Sequence, residues 1–254
     1  MSLSQQLLIR AIVAAFWEQP YSRPLVHWGS TLHDQFMLPH YAWKDLTDVI
    51  HELRPSGIEL DPAWFIPHHE FRFPRIGEIN VEGIDLRLRS AIEPWYVMGE
   101  EPGGGGTVRC VDSSVERLEV SLDGLQSERF RVTCNGVNVP LHGTGVQDQY
   151  VAGIRFRAWQ PPRCLHPTIP IHCPLRFEII DTRNMRSIGA CTYHVSDPGG
   201  RATDRFPINA NEAEARRAAR FDTLGMTGGP VEIIDTIPAA GPNPYPVTLD
   251  LRRV

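Results

Sequence analysis

The spacing of apolar residues changes once along this chain, near Phe71, and that change excludes any fold of a single structural class. Before it, Leu3, Leu7, Leu8, Ile12, Phe16 and Trp17 recur at helical spacing behind Ser2 or Ser4 as caps, and Pro20 stops the run. A second helical stretch covers about 41–54, with Trp43, Leu46, Val49, Ile50 and Leu53 on one side and Pro55 and Gly57 closing it. Ser30 to Leu38 reads as a shorter helix, and Asp61-Pro62 as a cap and first-turn proline for one more turn through Phe65. After Phe71 the period falls to two. In Ile84-Asp-Leu-Arg-Leu-Arg89 apolar and polar residues alternate strictly, which marks a strand with one buried and one wet face.

Similar runs occupy Val115–Leu122, Phe130–Cys134, Tyr150–Trp159, Leu175–Asp181 and Ile188–Val195. Glu82-Gly83, Asp123-Gly124 and Asn135-Gly136 punctuate them; Asn-Gly suits a type I′ turn, which needs positive φ at both positions. Pro 22 and Gly 21 in 254 residues fit many short elements better than a helical bundle. Asn209 with Glu212 forms a capping-box variant for a late helix over about 209–221, and Pro246-Val-Thr-Leu-Asp-Leu251 can add a terminal strand. The expected fold is therefore α+β and mainly β: an antiparallel β-sandwich of seven or more strands, with an N-terminal helical layer over 1–66 and a strand domain with its late helix over 67–254.

Charge and composition exclude several function classes. Of 25 Lys plus Arg only Lys44 is a lysine, so no Gly-Lys-Ser/Thr phosphate loop exists and a Schiff base has one candidate. A net charge of −5 gives no basic field for nucleic acid. The run Ala11–Phe16 is too short to span a membrane and no signal peptide is read, which points to the cytoplasm. Five cysteines without paired spacing fit reduced thiols there.

Four groupings could carry chemistry. Gly99-Glu-Glu-Pro-Gly-Gly-Gly-Gly106 puts Glu100 and Glu101 before four glycines, but a strand-like run follows rather than a helix N-terminus, so it reads as an inter-strand loop with ligand contact as the alternative. Cys164, His166, His172, Cys173, Cys191 and His194 are soft ligands within about thirty residues; their spacing is poor for zinc, since Cys191 and His194 fall on opposite faces of one strand, and no metal is expected. A nucleophilic pair of Cys191 with His194 or His172 remains conceivable, as does a carboxylate pair from Glu93, Glu100, Glu101, Asp112, Glu116 and Asp181. Trp95 and Trp159, beside prolines, are the candidates for a sugar or peptide platform, and Arg201 for substrate contact; tryptophans in such places are more often core residues.

Longer words then carry a resemblance. Leu25-Val-His-Trp-Gly-Ser-Thr-Leu-His-Asp-Gln-Phe-Met-Leu-Pro-His40, Phe71-Arg-Phe-Pro-Arg-Ile-Gly-Glu78, Val111-Asp-Ser-Ser-Val-Glu-Arg-Leu118, the stretch from Ala158 to His172, Cys191-Thr-Tyr-His-Val195, Pro198-Gly-Gly-Arg201 and Asn211-Glu-Ala-Glu-Ala-Arg-Arg217 resemble the C-terminal part of a bacterial amidoligase family often fused to a transglutaminase-like region. The resemblance implies an ATP- and magnesium-dependent carboxylate–amine ligase whose nucleotide and metal motifs lie upstream, with no cofactor held by this chain. It implies that 1–66 closes a ligase core. It further implies that the remainder is a non-catalytic accessory region, positioning a peptide or carboxylate substrate or an upstream ligase or transglutaminase-like partner. The rival readings are a hydrolase or transferase with a Cys/His or carboxylate centre, and a carbohydrate- or peptide-binding module. Helices from a larger core would expose residues such as Leu8, Ile12 and Phe16, so self-association through the N-terminal helices is expected.

Overall fold

A computed structural model describes residues 3–22, 24, 26–159, 164–195, 208–235 and 245–254. Helices come first: α1 (Leu3–Glu18), α2 (Thr31–Asp34), α3 (Pro39–Glu52) and α4 (Ile66–Arg72). Strands follow as β1 (Arg75–Val81), β2 (Ile84–Ala91), β3 (Val97–Gly103), β4 (Gly106–Val111), β5 (Val115–Asp123), β6 (Phe130–Cys134), β7 (Val137–Asn138), β8 (His142–Gly143), β9 (Tyr150–Arg157), β10 (Leu175–Asp181) and β11 (Arg186–Tyr193). Then come α5 (Ala210–Ala218), β12 (Phe221–Asp222) and β13 (Thr248–Asp250). No described helix is long and apolar enough to cross a membrane.

Local chemistry accounts for the boundaries. Asp61 Oδ1 accepts the Ala63 amide at 2.8 Å and starts the turn Pro62–Phe65. Asn209 Oδ1 accepts the Glu212 amide at 2.9 Å while Glu212 Oε2 accepts the Ile208 amide at 2.8 Å, a reciprocal cap that begins α5 at Ala210. Asn135 and Gly136 have φ of 51° and 83°, and Glu82 and Gly83 have 50° and 82°; each pair is the positive-φ corner of a tight hairpin. Two expectations change. The helical region runs on through α4, beyond the turn expected to end at Phe65. Glu100 to Gly103, expected in a loop, belong to β3, whose ribbon with β4 turns only at Gly104-Gly105.

The strands form two open sheets and the separate β3–β4 ribbon. The first sheet has the order β1-β2-β5-β9-β13, with β8 also paired to β9; the second has the order β12-β11-β10-β6-β7. Pairing is antiparallel except where the late strand β13 joins β9 in parallel. Even-numbered residues of β2 and β5, such as Leu86, Leu88, Leu118 and Val120, are buried in one cluster with Val132, Phe177, Ile179 and Cys191 of the second sheet. Each such side chain contributes about 1.5–3 kcal/mol by leaving water. That cluster commits one face of the first sheet to the core. Its other face, carrying Arg87, Arg89, Arg117, Glu119 and Arg155, lies under α3, α4 and the residues before them: Leu38 covers Gly153, and His69 meets Arg89.

Candidate functional site

The floor of a broad cleft is this second face of the first sheet. The cleft has a volume of about 1130 Å³, and Glu119, Arg89, Arg87, His40, His69 and Trp43 are among its lining residues. Position follows from register. Glu119 at the middle of β5 lies directly opposite Arg89 of β2 and Gly153 of β9. A side chain on Gly153 would meet Leu38 at 3.0 Å, so its absence lets the start of α3 come down onto the sheet. Leu38 at the N-cap supplies no side-chain cap and Pro39 has no N–H, which leaves the His40 amide as an early unsatisfied donor. Glu119 Oε2 accepts it at 2.8 Å.

Burial dominates the chemistry of this carboxylate. Glu119 is 3% exposed, and desolvation of its charged form raises its pKa to about 7; the His40 amide and the Arg89 guanidinium pull the other way and lose. Near neutrality Glu119 therefore accepts or returns a proton with little driving force either way.

The surroundings are held firmly. His69 donates from Nε2 to the Pro39 carbonyl at 3.0 Å, and its Nδ1 lies 3.3 Å from Arg89 Nη1, an arrangement that fits a neutral ring. Burial lowers the pKa of both His69 and His40, with the Lys44 charge adding to the effect at His40. Glu70 takes Arg75 at 2.8 Å and Arg89 at 3.5 Å, so two guanidiniums share one carboxylate and this end of the cleft has spare positive charge. At the opposite end Arg87 is shared by Asp123, Asp85 at 3.3 Å and Glu78 at 3.7 Å, and the balance there is acidic.

A second polar cluster lies on the same face nearer the chain's end. Glu93 Oε2 accepts Arg117 Nε at 2.9 Å and Arg155 Nε at 3.0 Å, all three side chains being at most 2% exposed. Arg155 also pairs with Asp250 at 3.6 Å, and Asp250 holds Arg252 through two bonds of 2.8 and 2.7 Å. Asp34 Oδ2 accepts the Val247 amide at 3.1 Å, and Arg117 reaches the His33 carbonyl. These bonds tie α2, the strands and the late β13 together, a structural role, because none of the cluster lines the cleft.

None of Glu100, His166, His172, Cys191 and His194 lines the cleft either. Glu100 is exposed on the β3–β4 ribbon and paired with Arg109 at 2.6 Å. Cys191 is 0% exposed in the core and burial pushes its thiol up to about 12, far from a nucleophile at neutral pH. His194 pairs with Asp222 at 2.8 Å, while His172 Nδ1 accepts the Arg157 amide at 2.9 Å. His166 and His172 share Arg157, whose guanidinium the His166 carbonyl accepts, and Cys191 and His194 share Asp222 as a neighbour. Trp95 donates to the Val115 carbonyl at 2.8 Å and half-buried Trp159 packs on the core; Arg201 lies outside the described residues. No group of three or more His, Cys, Asp or Glu able to hold a metal occurs among the described residues.

Sequence reasoning missed Glu119, His40, His69 and Glu70, and treated Arg87 and Arg89 as solvated. The Arg89 side chain is only 20% exposed, and Arg117, Arg155 and Arg157 are buried. The available signal was the run of charges at alternate positions of two adjacent strands, facing a helical layer that had to cover some surface.

Residues 1–252 match the family model described as "Putative amidoligase enzyme (DUF2126)". The chain belongs to that family. The match runs through helices and strands alike, and this overturns the non-catalytic accessory reading: the chain is the amidoligase-family domain itself. No curated protein and no solved structure gives a match.

Proposed function

We propose that this amidoligase-family chain joins a carboxylate to an amine on the outer face of its first sheet, with Arg75 and Arg89 holding the carboxylate and Glu119 taking the proton that the attacking ammonium must lose. One observation carries the reading: a carboxylate only 3% exposed stands at the cleft floor opposite Arg89, and burial there pushes its pKa up to about 7. An amine attacks only as the free base, and a base matched to neutral pH removes that proton at least cost. Two guanidiniums sharing Glu70 leave donors for a planar carboxylate. His69, neutral and anchored on the Pro39 carbonyl, keeps Arg89 from swinging into solvent.

Activation of the carboxylate by ATP with magnesium is what the resemblance implies, and ATP would carry off the displaced carboxylate oxygen as phosphate, leaving binding and proton removal to the residues named here. The described residues offer no three-membered metal donor set and no phosphate loop, so no step here runs through either group. We further propose that the two sheets form a β-sandwich, that a transglutaminase-like region is a partner, and that the chain resides in the cytoplasm. The hydrophobic cluster shared by the two sheets supports the first and five free cysteines support the last, while the partner rests on the resemblance alone.

Hydroxylamine serves as the test amine, with ATP, magnesium and a panel of amino-acid carboxylates, and hydroxamate as the product measured. Wild type is expected to show a rate limb near pH 7. Glu119→Gln keeps the His40 bond and loses the limb and most of the rate, and Arg89→Ala raises KM by about 10–100-fold. A Glu119→Gln chain as fast as wild type, with the limb intact, refutes the assignment.

A further inference from the structure

A second cavity, of about 280 Å³, lies outside the cleft and shares no lining residue with it. Tyr96, Leu165 and Ile169 give it apolar walls, and His166, Arg252 and Arg253 add polar atoms. One buried carboxylate ties two of those walls together. Asp112, 4% exposed, donates its amide to the Tyr96 carbonyl at 2.9 Å and accepts the Leu165 amide on Oδ2 at 3.3 Å. The His166 carbonyl accepts the Ile169 amide at 3.2 Å and also the buried Arg157 guanidinium, so the turn that carries Leu165 and Ile169 is held in place.

The third wall carries the charge. Asp250 holds Arg252 through Nε at 2.8 Å and Nη2 at 2.7 Å, and both side chains are only 10% exposed. The same carboxylate lies 3.6 Å from Arg155 Nη1 and 3.6 Å from Arg253 Nε, beyond hydrogen-bond reach. Arg155 in turn shares Glu93 with Arg117, and Asp34 acts on Arg117 from nearby. Four guanidiniums therefore face three side-chain carboxylates, and Arg252 Nη1 has no hydrogen bond among the described residues. We infer that this cavity binds a small carboxylate with an apolar body, an aryl or branched-alkyl acid. Arg252 Nη1 and Arg253 supply charge-assisted donors to the carboxylate, and the body fills the space between Tyr96, Leu165 and Ile169. The volume falls just below the roughly 300–1000 Å³ of ordinary small-molecule sites, enough for one ring or one branched side chain. A bare inorganic anion fits less well, because it leaves Tyr96 and Leu165, 46% and 43% exposed, in water. The assignment does not depend on the ligation chemistry of the cleft.

Saturation-transfer difference NMR of 3-phenylpropionate titrated into the full chain, without ATP, tests this. Wild type is expected to bind it with a Kd of about 1 mM or below, and acetate, inorganic phosphate and 3-phenylpropanol to compete about tenfold or more less well. Arg253→Glu reverses an exposed cation and Leu165→Asp puts a like charge at the exposed apolar wall. Each should weaken binding by about tenfold or more with unchanged circular dichroism, whereas Arg89→Ala in the cleft should leave it as it was. Absence of binding to wild type overturns the inference. Binding that survives both cavity variants, or that is lost in Arg89→Ala, overturns it too, because the ligand then sits elsewhere. Acetate or phosphate competing as well as 3-phenylpropionate binds reveals an adventitious ion only, and 3-phenylpropanol doing so reveals an apolar pocket that ignores charge; either result overturns the assignment.

Discussion

Replacing Glu119 by glutamine should make the folded chain more stable at neutral and higher pH. The direction follows from proton linkage. In the unfolded chain Glu119 titrates near its ordinary 4.5; in the folded chain burial raises it to about 7. Between those values the native state holds a proton that the unfolded state has released, so stability falls as pH rises through the window and the full cost is present above it. The gap amounts to about 3 kcal/mol of native-state cost once the group is ionised. Glutamine retains an oxygen for the His40 amide 2.8 Å away and removes the charge. The stability difference between Glu119→Gln and wild type should therefore grow by about 2 kcal/mol from about pH 5 to about pH 8, in favour of the variant. Urea unfolding followed by circular dichroism at several pH values measures it, and taking the difference cancels the histidines that titrate in both chains. A difference that is flat across the window, or that grows as pH falls, refutes the buried-carboxylate argument and with it the base role.

Glu93→Gln leaves two buried guanidiniums without their shared anion and should cost about 3–5 kcal/mol, read as a fall of about 10 °C in Tm; an unchanged Tm would show the cluster to be dispensable. Gly189→Ala should cost about 1–3 kcal/mol, because the added carbon falls 2.4 Å from Val81 Cγ2, and Val81→Ala in the same chain should recover much of it in urea melts. In the native chain a thiol reagent should label Cys110 and Cys164 quickly. Cys134 and Cys191 should react only after denaturation, and equal rates at all five sites would contradict the core placement.

The fold was largely legible because its signals are local. Strict alternation in Ile84–Arg89 reports which face of β2 is wet or buried, and that survives any choice of partner strand. Asn135-Gly136 and Asn209 with Glu212 specify a hairpin and a helix start from two to four residues each, and both formed. What misled was the inference from polar to solvated. On β5 the alternate residues Arg117, Glu119 and Ser121 read as a water-facing edge, yet the first two are nearly fully buried. The helical layer that buries them is up to about eighty residues away in sequence, and no short window records the contact.

The site was less legible for the same physical reason. Soft side chains such as Cys191 and His194 draw attention because their chemistry is intrinsic, whereas the chemistry of Glu119 is conferred by position. It requires the register that sets it opposite Arg89, a glycine at 153 that admits Leu38, and a helix beginning Leu38-Pro39 that lacks a cap of its own. Each is unremarkable alone. Together they move a carboxylate from an ordinary acid to a neutral-pH base, and removing any one should return it toward water. Gly153→Ala is the sharpest case: its Cβ would meet Leu38 at 3.0 Å and Thr248 Oγ1 at 2.9 Å, and lifting the start of α3 by a few tenths of an ångström lengthens the His40 bond and admits solvent. The Glu119 pKa should then fall toward 4.5, carrying the limb of the rate profile with it while the arginines that hold the carboxylate remain in place.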